Sequence, residues 1–309
     1  FRDGAVHGRS VAFYYQIGGG LTAIHPLVGV ISGGTVLEVH GTDFVDMPTA
    51  YCKIALSSGD AVVLAKYVSS TRLECITPVA GSAEVDVVVE VTMNDQNYSD
   101  DGFLYEYQAA AHVLYVQPSK GPKEGGAFVN VSGSDFASRS AALNYLYCRF
   151  NMTAVPAVLI SLIELHCISP QHVTGTVSVE VTLNNQQYTA DGVQYEYEDV
   201  NVGSIYPVSG PVFGGTEVEL LGLDMHTPDS GDLYCKFGSR EPVRAVYEGA
   251  HLVTCTSPSY SSASVVSVHI FNNDAVYGKP VAFYYQIDRV VTAIHPLVGV
   301  ISGGTVLEI

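Results

Sequence analysis

The chain has 309 residues and a formal net charge of −17, with 31 acidic and 14 basic side chains. A protein that binds nucleic acid needs a basic surface, so this balance excludes that class and disfavours contact with anionic membranes. No apolar run approaches the roughly 18 residues of a membrane span, which argues against direct membrane insertion. Charged residues make up 15% of the chain and apolar residues 47%. We therefore expect much of the surface to be buried, covered by glycan, or shared with other modules.

The first element along the chain is a stretch that occurs twice. Residues 22–38 and 292–308 are identical, and residues 1–39 match residues 271–309 at 28 of 39 positions. Weaker copies lie between them and share the pattern Pro, two residues, Gly, three residues, Gly-Gly. The spacings between the prolines of this pattern are 92, 89 and 89 residues, at Pro26, Pro118, Pro207 and Pro296. The sequence therefore predicts modules of about 90 residues, three of which make one 270-residue period.

These repeats define the expected domain organisation. Residues 1–17 are predicted to be the last strand of a preceding module, and residues 292–309 the first strands of a following one. Because the chain starts and stops within predicted strands and shows no signal peptide, we expect it to be part of a longer secreted protein. The complete modules between them, called modules one, two and three, are predicted at 22–107, 112–197 and 202–287.

The pattern within each module is that of β-structure. Glycine pairs such as Gly33-Gly34 can adopt the positive φ of a tight turn, and the apolar residues after them alternate as in a half-buried strand. Short strands at this spacing, without a helical period, predict an all-β fold of tandem β-sandwich modules in a linear array. The last turn of module three is displaced by one residue, which predicts a different hairpin there. Joints of about four residues predict semi-rigid connections.

One motif carries a family resemblance. The sequence Pro-x-x-Gly-x-x-x-Gly-Gly-Thr, followed by a strand and Gly-x-x-Phe, is complete at 26–44, whereas Ala127 replaces the Thr in module two and Met225 replaces the Phe in module three. In these residues the chain resembles the IPT/TIG family, whose immunoglobulin-like modules occur in plexin-type receptors, fibrocystin-like ectodomains and microbial surface proteins. The resemblance implies a β-sandwich fold and, for a tandem array, an extracellular or cell-surface location. It does not imply a particular task, because one fold hosts many functions.

Six cysteines occur as one pair in each module. Their matching positions favour three local disulfides, Cys52 with Cys75, Cys148 with Cys167, and Cys235 with Cys255. Closing a loop of roughly 20 residues stabilises a module by about 3 kcal/mol in the chain-entropy model, and it implies an oxidising compartment. The alternatives are buried free thiols and a zinc site, and the lack of a CxxC pair argues against zinc.

Motifs for catalysis and metal binding are absent from the sequence. No HExxH, GxSxG or Walker loop occurs, and the ten histidines are scattered. We therefore expect a non-enzymatic protein without a cofactor or a metal. Three Asn-x-Ser/Thr sequons mark candidate sites for covalently attached glycans, at Asn97, Asn130 and Asn151.

The turn that opens module one is unusually apolar. It contains Leu27, Val28, Val30 and Ile31, and the corresponding turn of module three contains Val212 and Phe213. The same turn in module two is polar. Apolar turns at the end of a module need a cover, which is either the adjoining module or another chain in a fibre. These six residues are therefore candidate interface residues.

Two functions of different classes fit these features. The first is a structural subunit of an extracellular filament or pilus-like fibre, whose partners are other copies of the chain in a helical or head-to-tail assembly. The unbroken period, the low charge and the apolar turns favour it. The alternative is the stalk or ligand-binding ectodomain of a cell-surface adhesion or signalling receptor. An accessory region of a carbohydrate-active enzyme is a third hypothesis.

Overall fold

The structure is a computed structural model that describes residues 20–199, 201–223, 233–272, 275–287 and 293–308. The strand predicted at 1–17 lies outside these ranges. Within them, strands account for nearly all the regular structure and fall into three sandwiches that follow one another along the chain. In the last range, His295 and Glu308 form an isolated antiparallel bridge.

Module one is a sandwich of two sheets. Its strands are β1 (Leu21–His25), β2 (Val28–Val30), β3 (Val36–Gly41), β4 (Tyr51–Leu56), β5 (Gly59–Leu64), β6 (Lys66–Ser69), β7 (Arg72–Ile76), β8 (Glu84–Thr92) and β9 (Phe103–Gln108). The first sheet has the order β1-β3-β7-β6 and the second the order β2-β9-β8-β4-β5. Neighbouring strands are antiparallel except β2, which runs parallel to β9.

Module two repeats this arrangement and adds a short helix. Its elements are β10 (His112–Gln117), β11 (Lys120–Pro122), β12 (Phe128–Ser134), α1 (Ser138–Ala142), β13 (Tyr147–Phe150), β14 (Thr153–Ser161), β15 (Glu164–Ile168), β16 (Gly175–Thr182) and β17 (Val193–Glu198). Because β14 pairs with β13 in one sheet and with β15 in the other, the two sheets are continuous along one edge. The resulting order is β10-β12-β15-β14-β13-β16-β17-β11.

Module three has the same two-sheet plan with a tighter final hairpin. Its strands are β18 (Asn201–Tyr206), β19 (Ser209–Pro211), β20 (Glu217–Leu223), β21 (Tyr234–Phe237), β22 (Val243–Arg244), β23 (Val246–Gly249), β24 (Leu252–Thr256), β25 (Ser264–Asn272) and β26 (Ala275–Gln286). The sheet orders are β18-β20-β24-β23 and β19-β26-β25-β21-β22. The last two strands of modules one and two are separated by residues 93–102 and 183–192, whereas only residues 273–274 separate β25 from β26. A register shift between Val268 and Ile270 lies in this hairpin, which differs from the other two as the sequence predicts.

A buried disulfide joins the two sheets of each module. The pairs are Cys52–Cys75, between β4 and β7, Cys148–Cys167, between β13 and β15, and Cys235–Cys255, between β21 and β24. All six cysteines are at most 3% exposed. Each bond therefore crosses the core and fixes the separation of the two sheets, which constrains the unfolded chain and stabilises the module.

The Gly-Gly pair forms a positive-φ turn, but the chain ahead of it is not a free loop. Gly33 has φ 69° and Gly34 has φ 78°. A β-carbon on Gly33 would lie 2.5 Å from the Pro78 carbonyl oxygen, so no other residue fits there. β1 pairs with β3 in the first sheet, whereas β2 pairs with β9 in the second. The chain thus changes sheet before the Gly-Gly turn, which corrects the interpretation of this segment as an exposed turn.

The Gly-x-x-Phe pattern of modules one and two places an aromatic ring in the core. Phe44 is 2% exposed and Phe136 is 1% exposed. In each case the residue immediately before the phenylalanine takes up a left-handed conformation, with φ 60° at Asp43 and at Asp135. This turn directs the ring back between the sheets, where it closes one end of the sandwich.

Candidate interfaces at the joints between modules

Converging polar side chains in this molecule lie where one module meets the next. Among the residues that the structure describes, no group of three or more His, Cys, Asp or Glu side chains is placed to hold a metal ion. Helices with the length and apolar character needed to cross a membrane are also lacking in the described ranges. We therefore take the contacts between modules one and two, called the first joint, and those between modules two and three, called the second joint, as the candidate functional sites.

The first joint is built on Gln186, in the segment between β16 and β17. This segment, residues 183–191, is called the receiving loop of module two. The Oε1 atom of Gln186 accepts a hydrogen bond from the Val36 backbone N–H at 2.9 Å, and its Nε2 donates to the Val36 carbonyl, also at 2.9 Å. Because β1 ends at His25, opposite Glu38, it does not reach Val36 in the ladder. The carboxamide thus pairs with the free edge of β3 in both directions, as a strand neighbour would.

Asn184 shapes the receiving loop and also reaches module one. Its Oδ1 atom accepts hydrogen bonds from the backbone N–H groups of Gln186, at 3.1 Å, and Gln187, at 3.0 Å. Its Nδ2 donates to the Thr35 hydroxyl at 3.2 Å, and that hydroxyl donates to Gln187 Oε1 at 3.0 Å. Gln187 Nε2 in turn donates to the Gly33 carbonyl at 3.3 Å. Thr35 is fully buried and Asn184 is 3% exposed, so these bonds satisfy polar groups that water does not reach.

Two further contacts join modules one and two. Gln108, at the end of β9, is 5% exposed, and its Oε1 accepts a hydrogen bond from the fully buried Ser140 hydroxyl of α1 at 2.7 Å. The Tyr145 hydroxyl lies 3.0 Å from His25 Nδ1, and the two rings meet edge to face at 5.3 Å. The first joint is therefore a set of several directional polar contacts between the two modules.

The second joint contains a buried aromatic ring. Tyr277 of β26 is 8% exposed and belongs to one continuous buried cluster that contains the cores of both modules two and three. β11 of module two lies against β26. Burial raises the pKa of the Tyr277 phenol to about 12, and the nearby Glu198 carboxylate of module two adds to the shift. The core of module one forms a separate cluster. At the first joint, hydrogen bonds thus connect two modules whose hydrophobic cores are separate. At the second joint, the hydrophobic cores of the two modules are continuous.

The tyrosine of the second joint has counterparts that stay on their own modules. Tyr98 and Tyr188 stand six residues after the strand residues that pair with Tyr51 and Tyr147, as Tyr277 does relative to the partner of Tyr234. The Lys53 ammonium lies 4.7 Å from the Tyr98 ring centre, and the Arg149 guanidinium lies 4.0 Å from that of Tyr188. These rings make cation–π contacts within a module. The longer loops of modules one and two leave them on the surface of their own sheet.

A carboxylate of the receiving loop anchors the start of module two. Asp191 accepts hydrogen bonds from the Val113 backbone N–H at 2.7 Å and from His112 Nδ1 at 3.0 Å. The hydrogen bond to Asp191 raises the pKa of the His112 imidazole. Burial acts to raise the pKa of the Asp191 carboxyl, but the hydrogen bonds from His112 and Val113 outweigh it and lower that pKa. The residues that enter module two are thereby tied to the loop that contacts module one.

The structure gives a different account of most of the predicted apolar interface. Val28 is fully buried in its own module as part of β2. Leu27 and Ile31 pack against the core of module one, and Val30 is half-buried and lines a cleft toward module two. In module three, Val212 packs against the core, whereas Phe213 is 64% exposed. Val28 could contact another chain only if the sheet opened, so the apolar filling of this segment mainly serves its own module.

The three sequons occupy different surroundings. Asn97 is exposed in the loop between β8 and β9, where Asn94 Nδ2 donates to its Oδ1 at 3.0 Å. Asn151 is exposed in the turn after β13. Asn130 is half-buried in β12, between β10 and β15, with its Oδ1 buried and unpartnered among the described residues. Asn97 and Asn151 therefore remain predictions that a glycan could reach, whereas a glycan on Asn130 would have to leave the middle of a sheet.

The residues of both joints were not identified from the sequence. The signal for the first joint is a recurring Asn-x-Gln, at Asn184 to Gln186 in module two and at Asn94 to Gln96 in module one. Alignment of the modules on their disulfides would have isolated it. For Tyr277 the signal is the displaced turn of module three, which predicts a different hairpin but does not show that the tyrosine enters a joint.

Comparison with protein families accounts for nearly all of the chain. The model described as IPT/TIG domain matches three times in succession, at residues 21–107, 112–197 and 201–285. These three matches coincide with the three sandwiches and together cover well over half of the sequence.

Known proteins resemble the chain at low identity. Human Fibrocystin-L is 24% identical over 298 residues, which are 94% of this chain and 7% of that protein, and mouse Plexin-B2 is 24% identical over 211 residues, 65% of this chain and 11% of that protein. The chain thus spans only a small part of the curated relatives that it matches. Among solved structures, the full extracellular region of Plexin A4, domains 1 to 10, superposes with a TM-score of 0.52 at 17% identity, covering 99% of this chain and 28% of that one.

Proposed function

Because the chain belongs to the IPT/TIG family, we propose that it is a non-catalytic stalk segment of a cell-surface ectodomain, in which the joints hold the modules in fixed relation. The observation that carries this proposal is the first joint. A flexible linker would not require a buried threonine, an amide paired with a strand edge, and a buried serine–glutamine contact. Such contacts restrict the orientation of module one relative to module two.

Several further features support an extracellular stalk. Three disulfides fit an oxidising compartment. The solved structure that the chain resembles over its whole length is an extracellular region. Modules in series that contact only their neighbours give a quasi-one-dimensional object, which suits a spacer between a cell surface and a binding module.

Small-angle X-ray scattering of the purified chain tests the stalk. Thr35→Ala combined with Gln186→Ala removes the central contacts of the first joint, so we expect a broader distribution of maximum dimensions than in the unmodified chain. Gln96→Ala is the matched control, because Gln96 occupies the equivalent position on the exposed loop of module one. A distribution that is already broad in the unmodified chain would contradict the proposal.

A filament subunit is the second candidate, and the sequence period favours it. Residues 1–39 and 271–309 are identical at 28 of 39 positions, which exceeds what the fold needs. The intervening modules keep the proline and glycine pattern but have different residues between those positions. Phe213 also exposes a large apolar ring at a module end. Negative-stain microscopy separates the two functions, because ordered fibres support a filament and separate rods of one length support a stalk.

A further inference from the structure

Module one carries a loop with the same construction as the receiving loop of module two. Asn94 Oδ1 accepts hydrogen bonds from the backbone N–H groups of Gln96, at 3.1 Å, and Asn97, at 2.9 Å. Asn184 makes the equivalent bonds in module two at 3.1 and 3.0 Å. The residue after each asparagine is left-handed, with φ 57° at Asp95 and 58° at Asn185. The loop of module one therefore already has the shape that its counterpart has in a joint.

The difference between the two loops is what covers them. Thr35 and Val36 of module one occupy the loop of module two, and Asn184 is buried beneath them. In module one, the equivalent residues Asn94 and Gln96 are exposed. Gln186 is itself solvent-exposed while it pairs with Val36, so the burial of the asparagine, and not of the glutamine, distinguishes the loop in the joint from the loop of module one.

A cleft beside each loop reinforces the equivalence. On module two the cleft is lined by Val181, Leu183 and Tyr188, and Val30 and Ser32 of module one enter it. On module one the corresponding residues Val91, Met93 and Tyr98 line a cleft of their own. Space for the turn of another module is thus present at the same place.

The residues that the contact needs vary together along the chain. At the first joint, the Gly-Gly turn of module one is followed by Thr35, and the loop of module two that contacts this turn has Gln186. At the second joint both are missing, because the turn of module two has Ala127 and module three has Ala275 in place of the glutamine. The turn of module three again has Thr after its Gly-Gly pair, Thr216, and the exposed loop of module one again has the glutamine, Gln96. A Gly-Gly turn that is followed by Thr therefore occurs together with a following module whose loop has the glutamine.

Thr216 is available for such a contact. Thr35 lies near the phenol of Tyr105, so its hydroxyl also serves its own module. Phe283 takes the place of that tyrosine in module three and has no hydroxyl. Thr216 is half-buried, and its side chain makes no hydrogen bond among the residues that the structure describes.

We propose that the loop of module one, residues 93–101, is a docking surface for the Gly-Gly-Thr turn of a module of the third type that precedes it in the same chain. Gln96 would pair with the backbone of the residue equivalent to Glu217, as Gln186 pairs with Val36. The occupant is argued from the repeat, because residues 1–17 match the last strand of module three at the same 270-residue offset. The inference rests on the proposed stalk, since it extends one of the stalk's joints across the period boundary.

The sequon at Asn97 has a consequence for this surface. Asn97 is equivalent to Gln187, which faces module one across the first joint. A glycan on Asn97 would therefore fill the cleft and exclude the incoming turn. Docking and glycosylation at this residue are mutually exclusive, so the test uses protein made in a host without N-glycosylation.

The test compares the 309-residue chain with a two-period chain that joins residues 1–291 to residues 22–309. Because residues 292–308 are identical to 22–38, this splice continues the natural period. Hydrogen exchange with mass spectrometry follows the peptide that covers residues 94–99. In the two-period chain this peptide occurs once behind a complete module of the third type and once without one. We expect two populations of equal weight, one exchanging at least about tenfold more slowly than the other.

Variants assign the slow population to the contact. Thr216→Ala in the first period is expected to abolish it, while Thr216→Ser preserves it. The same Thr216→Ala in the second period is the matched control, since no complete module follows there. Alanine occupies this position in module two as Ala127, so the fold accepts it.

Other outcomes would overturn the inference. A single fast population in the two-period chain would show that the loop stays open behind a module of the third type. If residues 94–99 of the 309-residue chain also exchanged slowly, and the slow fraction increased with protein concentration, the surface would bind a second copy of the chain instead. The loop at 184–189 reports on the stalk separately, because its protection depends on the first joint alone. Loss of exchange protection at residues 184–189 would count against the stalk. Loss of protection confined to residues 94–99 would count only against the docking surface.

Discussion

The first and second joints connect similar modules by different physical means. At the first joint, polar side chains of a preformed loop recognise the backbone of the preceding module, and the two cores remain separate. At the second joint, Tyr277 enters a shared core and no loop of that kind separates β25 from β26. Hydrogen bonds are directional and each is worth about 1 kcal/mol net, whereas burying an aromatic ring contributes several kcal/mol without fixing direction as strictly. The first joint should therefore set orientation, and the second should set cooperativity.

The largest effect is expected from Tyr277→Ala. Truncating a buried aromatic residue destabilises a protein by about 3–5 kcal/mol. Because this ring lies in the core that modules two and three share, we also expect their joint unfolding transition to split in differential scanning calorimetry. Tyr98→Ala is the matched control and should cost about 1 kcal/mol or less, since that half-buried residue makes a cation–π contact with Lys53 and an exposed hydrogen bond from its hydroxyl to Asp95 at 3.3 Å. Equal losses for the two variants would show that Tyr277 is not a joint residue.

A smaller effect is expected from Ser140→Ala. The change leaves the buried Gln108 Oε1 without the hydroxyl that donates to it, and an unsatisfied buried acceptor costs about 1–3 kcal/mol. Chemical denaturation monitored separately for modules one and two should show the loss at their joint. Ser138→Ala, on the exposed face of the same helix, should change stability by less than about 0.5 kcal/mol. If both variants behaved alike, the Gln108 contact would not contribute.

Gln186→Ala should cost only about 1 kcal/mol in stability but change orientation. Its carboxamide lies partly exposed, so water replaces much of what the Val36 pair loses. Residual dipolar couplings should then report independent motion of module one while modules two and three keep a common alignment. Unchanged couplings in the variant would mean that the remaining contacts suffice.

The smallest effect concerns pH. The pKa of His112 is raised in the folded chain by its hydrogen bond to Asp191, so its contribution to stability is fully present below the ordinary histidine pKa, about 6.5. That contribution is lost as pH rises through the raised folded value. Thermal unfolding should therefore show a slightly smaller difference between the unmodified chain and His112→Asn at pH 8.5 than at pH 5.5. A larger difference at the higher pH would reverse the sign and contradict the ion pair.

The fold was largely predictable, because short sequence patterns show where the backbone must adopt a particular conformation. Gly33-Gly34 require positive φ and the ring of Phe44 requires a core, so spacing alone locates the modules. The pairing of cysteines at matching positions follows from the same repeat. The change of sheet at β2 was not predictable, since Val28 reads as part of a turn and its burial depends on a parallel partner in β9, far along the chain.

The joints were beyond sequence reasoning for a different reason. Gln186 and Gln96 have nearly the same neighbours in sequence and are both exposed, yet Gln186 pairs with the backbone of another module and Gln96 does not among the described residues. Tyr277 and Tyr188 likewise occupy equivalent positions and differ only in the length of the adjacent loop. The role of Gln186 is set by the module that precedes it in the chain, and that of Tyr277 by the hairpin of its own module together with the neighbouring core.

The relative orientation of modules one and two in solution tests the central claim most directly. Residual dipolar couplings measured for the unmodified 309-residue chain give an alignment tensor for each module. When modules one and two are oriented as in the structure, the alignment tensors of the two modules are predicted to have the same magnitude and the same axes. Tensors of different magnitude for the two modules would show that they move independently, and the stalk with a hydrogen-bonded joint would be wrong.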